Sequence, residues 1–176
     1  KQFQIKNDFT SFEIQNLFLE GTGSLVLDRQ HKIAYACISP RTSIDLATLW
    51  ANKRDFKLIT FKANASNKPI YHTNVVMFLG STLCFLGTEL IIDSPRLEEK
   101  ITHTHQIIKL SSAQVNKFCA NVIELIDFEG NHFLAMSSTA FNNLKTWQLD
   151  IIYKSGLYIE QFSIPTIETV GGGSLR

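Results

Sequence analysis

Three polar residues stand at the ends of apolar segments, in loops where side chains with a chemical role are often found. Glu20 follows the apolar residues 17–19 and precedes the glycine-rich turn 21–23, so its carboxylate suits a general base or a binder of a cationic group. His72 precedes another apolar segment, where an imidazole can transfer protons near neutral pH. Arg41 lies between a predicted strand and a predicted helix, and its guanidinium can hold a carboxylate through two hydrogen bonds.

Each of these residues also has an ordinary structural interpretation. Glu20 fits a turn that faces solvent, and His72 fits a half-buried histidine that is hydrogen-bonded to the backbone. Arg41 fits a surface salt bridge, the commoner fate of an arginine in a loop. Residue type and position leave both interpretations open.

Metal and nucleotide sites are poorly matched by the sequence. His103 and His105 would share one face of a predicted strand, but no third ligand stands at a suitable spacing, which favours ordinary histidines. Glycines 171–173 fit neither the phosphate-binding loop pattern nor the dinucleotide fingerprint. We therefore predict no metal and no cofactor.

The three cysteines, Cys37, Cys84 and Cys119, lie inside apolar segments. An odd number of cysteines in such places is typical of buried thiols in a reducing compartment, and no signal peptide opens the sequence. We therefore expect structural thiols and a cytoplasmic protein.

Composition indicates a folded protein. Of the 176 residues, 44% are hydrophobic and 19% are charged, with a formal net charge of +1. Such a chain has enough apolar material for a packed core, and it lacks the basic surplus with which proteins meet nucleic acid. Its apolar runs, such as 75–79 and 83–86, are too short to span a bilayer. We predict neither a nucleic-acid partner nor a membrane span.

A pattern of strand, turn, strand, helix and strand recurs three times, at about 24–62, 75–110 and 122–162. The predicted strands are 24–28, 33–39, 57–62, 75–79, 83–86, 106–110, 122–127, 132–137 and 158–162, and the predicted helices are about 43–54, 95–100, 112–119 and 139–147. The helix predictions rest on apolar spacing behind N-cap residues: Thr42 or Ser43, Ser111 or Ser112, and Ser138 or Thr139.

The nearly continuous apolar strands indicate burial on both faces, and therefore a mixed α/β fold with helices outside the sheets. Three such units leave strand edges open. We expect residues 1–176 to form a single domain that is an arc of a larger ring, and the isolated chain to self-associate.

Four segments together resemble the guanidino-group-modifying enzymes, the pentein superfamily of arginine deiminases, dimethylarginine hydrolases and amidinotransferases. They are LEGTGSLVLDR at 19–29, AYACISPRT at 34–42, YHTNV at 71–75 and GGGSLR at 171–176. Within the superfamily they are most similar to the bacterial amidinotransferase-like branch described as citrulline hydrolases of citrulline utilisation.

This resemblance implies a five-bladed α/β propeller of strand-strand-helix-strand modules, of which the chain covers about three. It also implies cofactor-independent chemistry, in which a cysteine attacks the guanidino or ureido carbon of an arginine- or citrulline-like substrate. Glu20 would orient the substrate, His72 would be the general acid and base, and Arg41 would contact the substrate's α-carboxylate.

Two positions differ from the family pattern. Many relatives have an aspartate two residues after the histidine, where this chain has Asn74, and a neutral amide there favours a ureido group as the bound ligand. The family nucleophile follows the GGGS-x-R segment, so we expect it directly after Arg176 and expect residues 1–176 alone to be inactive. Amidino transfer and a non-catalytic binding or scaffold protein of the same fold are the alternatives.

Overall fold

The structure, a computed structural model, describes residues 8–94 and 96–176. The helices are α1 (Gly21–Ser24), α2 (Ile44–Arg54), α3 (Thr73–Val76), α4 (Leu97–Thr102), α5 (Ser112–Val115), α6 (Ser138–Asn142) and α7 (Thr146–Lys154). The strands are β1 (Leu25–Asp28), β2 (Ile33–Cys37), β3 (Lys57–Ala65), β4 (Lys68–Pro69), β5 (Met77–Leu79), β6 (Leu83–Leu86), β7 (Ile91–Asp93), β8 (Gln106–Lys109), β9 (Ile123–Ile126), β10 (His132–Ser137) and β11 (Tyr158–Phe162). Short 3-10 turns cover Thr10–Gln15 and Thr88–Leu90, and a π turn covers Ile167–Gly171.

The strands form three sheets with a shared connectivity. The first sheet has the order β1-β2-β3-β4 with β7 also beside β3, the second has the order β5-β6-β8, and the third has the order β9-β10-β11. In each sheet the first two strands form an antiparallel hairpin, and a helix-containing connection returns the chain as a strand parallel to the second. The predicted mixed α/β fold is confirmed.

Helix α2 illustrates how the sequence builds one of these connections. The Ser43 side chain accepts a hydrogen bond from the Leu46 N–H at 3.4 Å, which satisfies an otherwise unpaired donor of the first turn. The helix ends where Asp55 takes a left-handed conformation with a φ of 57°. Ala47 and Ala51 are buried with Leu46, so one face of α2 covers the first sheet.

One hydrophobic core runs through all three sheets. Its fully buried members include Tyr35 and Phe61 from the first sheet, Phe85 from the second and Met136 from the third. Burial of each of the Phe and Met side chains stabilises the fold by about 1.5–3 kcal/mol relative to an exposed position. The three sheets are therefore packed as one unit, and the loops that precede their first strands have a rigid support.

Several predicted elements were wrong in extent. Residues 75–76 belong to the single-turn helix α3 and not to a strand. The helix predicted over 112–119 ends at Val115, because the chain then turns and Phe118 takes a φ of 62°. The helix predicted over 95–100 is observed at Leu97–Thr102, and Pro95 lies outside the described residues.

The helix predicted over 139–147 is two helices, α6 and α7. The break is stabilised by two glutamines: Gln114 donates to the Asn143 carbonyl, and the Gln148 side chain accepts from the Lys145 N–H. The N-cap of α6 is Ser137, one residue before the predicted pair. The long-range contact of Gln114 and the local cap of α7 together outweigh the continuous helical pattern.

His103 and His105 lie in the turn between α4 and β8, so the prediction that they share a strand face was wrong. His103 is exposed, whereas buried His105 hydrogen-bonds the Gly80 carbonyl through Nε2 at 3.1 Å. Within residues 8–94 and 96–176, no helix has both the length and the apolar content to cross a membrane.

Candidate active site

The three predicted residues lie together, because His72 and Arg41 both contact the carboxylate of Glu20. Nε2 of His72 lies 2.6 Å from Oε2 of Glu20. The guanidinium of Arg41 donates to both oxygens of the same carboxylate, with Nε 2.8 Å from Oε1. Residues that are 21 and 52 positions from Glu20 in sequence are thus brought into direct contact.

Glu20 and His72 occupy equivalent places in two sheets. Glu20 is the residue before α1, a single turn that leads directly into β1, and His72 is the residue before α3, a single turn that leads into β5. The two turns pack against each other, which brings the two side chains together. Glu20 also lines a cavity of about 540 Å³, whose other lining residues belong to the segment 8–19 and to α2, and not to the loops that carry His72 and Arg41.

Buried hydroxyl groups hold the backbone of this site. Ser24 Oγ accepts a hydrogen bond from the Glu20 N–H at 2.8 Å and donates one to the Arg41 carbonyl at 3.0 Å. Thr73 Oγ1, next to His72 in the chain, donates to the Ser24 carbonyl at 2.6 Å and accepts from the Cys37 N–H at 2.7 Å. Ser24 and Thr73 are fully buried, so the bonds are shielded from water.

Gly23 leaves room for the imidazole. A Cβ at this position would lie 2.9 Å from both Cε1 and Nδ1 of His72, closer than non-bonded atoms approach. The ring also packs edge-on against Tyr71, with 4.9 Å between the ring centroids. The second glycine of the turn is therefore required by the histidine that contacts Glu20.

The electrostatics of the cluster favour an ionised Glu20. Its hydrogen bonds to Arg41 and, to a smaller extent, to His72 lower the pKa of the carboxyl below its ordinary value, against the opposing effect of partial burial. Arg41 also lies over the Tyr71 ring, with 5.0 Å from the guanidinium carbon to the centroid. The Glu20 side chain therefore carries a negative charge at neutral pH.

Asn74 lies in α3, two residues after His72, and is only 8% exposed. Its side-chain Oδ1 is buried and has no hydrogen-bond partner within the part of the chain that the structure describes. An unpaired buried amide oxygen costs free energy unless a ligand or water pairs with it. The structure thus leaves a buried acceptor without a partner in the turn that follows His72.

Sequence reasoning missed Asn121. Its side chain accepts hydrogen bonds from the N–H groups of Ser174 and Arg176, which connects the GGGSLR segment to the rest of the site. No spacing or motif identified this residue, because an asparagine before a predicted strand resembles an ordinary turn residue.

The cysteines do not contribute a nucleophile to the cluster. Cys37, Cys84 and Cys119 are all fully buried, and burial raises the pKa of the Cys37 thiol to about 11 and that of Cys119 to about 12. Such thiols carry almost no thiolate at neutral pH, and the thiolate is the reactive form. Within the described ranges, no group of three or more His, Cys, Asp or Glu side chains is arranged to hold a metal ion.

The fold is that of solved arginine dihydrolase domains. The substrate-bound N-terminal domain of ArgZ, an arginine dihydrolase from cyanobacteria, matches with a TM-score of 0.71 at 15% identity, over 91% of this chain and 55% of that one. A variant of AgrE in complex with L-arginine matches with a TM-score of 0.71 at 16% identity, over 90% of this chain and 22% of that one. The chain therefore spans about half of the ArgZ domain.

The sequence as a whole defines the family. The family described as N,N dimethylarginine dimethylhydrolase, eukaryotic, matches residues 1–176, and the chain belongs to it. This confirms the resemblance to the guanidino-group-modifying superfamily. A comparison with curated proteins gave no match. The five-bladed arrangement and the citrulline-hydrolase branch stay predictions.

Replacing Arg41 tests the electrostatics of the cluster. In Arg41→Gln we expect the pKa of the Glu20 carboxyl to rise towards its ordinary value, because the principal hydrogen bond that lowers it is lost. The measurement is a ¹³C NMR titration of the Glu20 side chain. The matched control is Arg54→Gln, at the exposed end of α2. An unchanged Glu20 titration in Arg41→Gln would show that the ion pair does not form in solution.

Replacing Thr73 tests the hydroxyl network. Thr73→Val keeps the side-chain shape but leaves the Cys37 N–H and the Ser24 carbonyl without this partner, so we expect the free energy of unfolding to fall by about 1–3 kcal/mol. Urea unfolding measures the loss. Thr48→Val, at an exposed site in α2 whose hydroxyl donates to the Ile44 carbonyl, is the control. Equal effects of the two substitutions would exclude a special contribution of Thr73.

Proposed function

We propose that the whole protein is a hydrolase of the guanidino or ureido carbon of an arginine- or citrulline-like substrate. The observation that carries the proposal is the carboxylate of Glu20 in contact with both His72 and Arg41. A carboxylate that orients a histidine and also binds a planar cationic group is the arrangement that this chemistry needs. Membership of the dimethylarginine dimethylhydrolase family points to the same class of reaction.

The proposed reaction has two steps and uses a cysteine directly after Arg176. The thiolate attacks the guanidino or ureido carbon, the bond to the leaving amine breaks, and His72 gives the amine a proton. A water molecule then attacks the covalent intermediate, His72 takes a proton from it, and the carbon–sulfur bond breaks to restore the thiolate. Glu20 holds His72 and the substrate in the orientation that both steps require.

Arg41 has two partners in this proposal. In the structure its guanidinium pairs with Glu20, while about half of its side chain is exposed, so the pair is weak enough to exchange. An incoming guanidino or ureido group would take the place of Arg41 on Glu20. The released Arg41 would then pair with the substrate's α-carboxylate, which favours substrates that carry both groups.

Asn74 bears on the choice between arginine and citrulline. If a substrate group reaches it, the buried, unpaired Oδ1 would accept one N–H from either substrate, but it adds no negative charge to balance a guanidinium. Glu20 therefore remains the nearby anionic group of the cluster. This favours a neutral ureido group, and so a citrulline-like substrate, over an arginine-like one.

A non-catalytic binding or scaffold protein is the second candidate. It is favoured by one observation: none of the cysteines in the chain is exposed or has a lowered thiol pKa. Amidino transfer to an amine instead of water remains a variant of the enzymatic proposal. The residue that follows Arg176 in the gene distinguishes the enzyme from the scaffold.

The enzymatic proposal is tested with the whole protein. We expect Glu20→Gln and His72→Ala each to lower the release of ornithine or ammonia from citrulline and arginine by on the order of 10²–10⁴-fold, because each removes a group that acts in the transition state. The matched controls are Glu99→Gln and His103→Ala, both at exposed positions outside the cluster.

Two results would contradict the proposal. Near wild-type turnover in both Glu20→Gln and His72→Ala would show that the cluster is not the catalytic site. Binding of citrulline without any turnover by the wild-type protein would favour the scaffold.

A further inference from the structure

The segment that ends at Arg176 is held by polar contacts. The N–H groups of Ser174 and Arg176 both donate to Oδ1 of Asn121, each at 3.1 Å. Glycines 171–173 precede this segment and bring no side chains that could pack against the core. The course of the backbone beyond the glycines therefore depends on hydrogen bonds such as these.

The same asparagine contacts the turn that carries His72. Asn121 is only 5% exposed, and its Nδ2 donates to the Asn74 backbone carbonyl at 3.5 Å. Asn74 follows His72 by two residues in α3. A single buried amide thus connects the 174–176 segment to the turn of the predicted general acid and base.

The chemistry of these contacts requires an amide. Two N–H donors face one end of the Asn121 side chain and a carbonyl acceptor faces the other, which fixes the orientation of its oxygen and nitrogen. Aspartate would keep the acceptor and lose the donor, whereas alanine would lose both. Substitution to aspartate or alanine can therefore test the two contacts of Asn121 one at a time.

A second anchor of the segment lies on a different part of the protein. The Glu168 carboxylate accepts hydrogen bonds from the hydroxyl of Ser174 at 3.1 Å and from that of Thr139 at 2.7 Å. This anchor connects the segment to α6, on the third sheet. Asn121 differs because its side chain also reaches the His72 turn.

We propose that Asn121 is a positioning residue, which holds the residue after Arg176 in place relative to His72, so that its side chain can reach the substrate carbon. This rests on the proposed function, which places the nucleophile there. Nucleophilic catalysis needs atoms aligned at about 3–3.5 Å, and a displacement of 1 Å can cost about 10²-fold in rate. The Asn121 amide contacts both elements, because Oδ1 accepts two 3.1 Å hydrogen bonds from the segment and Nδ2 makes a longer, 3.5 Å contact with the turn.

The contact itself is tested by hydrogen exchange of the 176-residue chain. In Asn121→Ala we expect the amides of Ser174 and Arg176 to exchange at least about 10-fold faster, while the amide of Leu134, in the centre of β10, is unchanged. In Asn121→Asp the amides of Ser174 and Arg176 should stay protected and α3 should exchange faster. The exposed Asn142→Ala is the matched control.

The positioning role is tested by steady-state kinetics of the whole protein with citrulline. We expect Asn121→Ala to lower kcat by about 10²-fold with KM nearly unchanged, because Glu20 and Arg41, the proposed substrate contacts that Asn121 does not touch, stay in place while the nucleophile shifts. Asn121→Asp should lower kcat less, and Asn142→Ala should match the wild type. A loss of stability alone would lower the amount of active enzyme and would also increase exchange at Leu134.

Each result decides a different part of the proposal. Unchanged exchange at Ser174 and Arg176 in Asn121→Ala would exclude the contact. Faster exchange with an unchanged kcat would exclude the positioning role. If Asn121→Ala does not fold, the exchange of α3 and the kcat of Asn121→Asp decide between the same outcomes. A wild-type protein without turnover would contradict the proposed function, and hydrogen exchange would still decide the contact.

Discussion

The hydroxyl of Ser24 is the contact on which the geometry of the candidate site depends. It binds the backbone of Glu20 and of Arg41, while the Ser24 carbonyl accepts a hydrogen bond from Thr73, the neighbour of His72. Three loops that are far apart in sequence are therefore fixed to one buried residue. Since an unmet buried hydrogen bond costs about 1–3 kcal/mol, the loops resist moving independently. The polar network is possible because the three packed sheets exclude water from it.

The contacts at Glu20 follow from that arrangement. With the backbones fixed, one carboxylate faces both an imidazole and a guanidinium, and the guanidinium keeps the carboxyl ionised by lowering its pKa. The His72 ring fits only because Gly23 has no side chain. Asn121 contacts Asn74, in the turn that follows His72, and also the segment that ends at Arg176. The packed sheets and a few buried polar groups thus hold in place both the Glu20 cluster and the segment that ends at Arg176.

Much of the fold followed from local pattern. Strands β6, β10 and β11 and helix α2 were predicted within a residue, because apolar runs, turns and an N-cap serine determine them locally. The break between α6 and α7 was missed because it depends on Gln114, which is distant in sequence from Gln148. Glu20, Arg41 and His72 were predicted as site residues from the sequence, and their roles stay predictions. That His72 and Arg41 contact the same Glu20 carboxylate was not predicted. Asn121 was missed since no local pattern distinguishes it.

In the reaction we propose, a cysteine after Arg176 reacts with substrate beside His72 and Glu20. Mass spectrometry of the whole protein, quenched in acid during turnover of citrulline or arginine, tests it most directly. We expect a covalent adduct, of the mass of the transferred carbon unit, on a cysteine that directly follows Arg176. Turnover with no adduct on that residue, or an adduct on Cys37, Cys84 or Cys119, would contradict it.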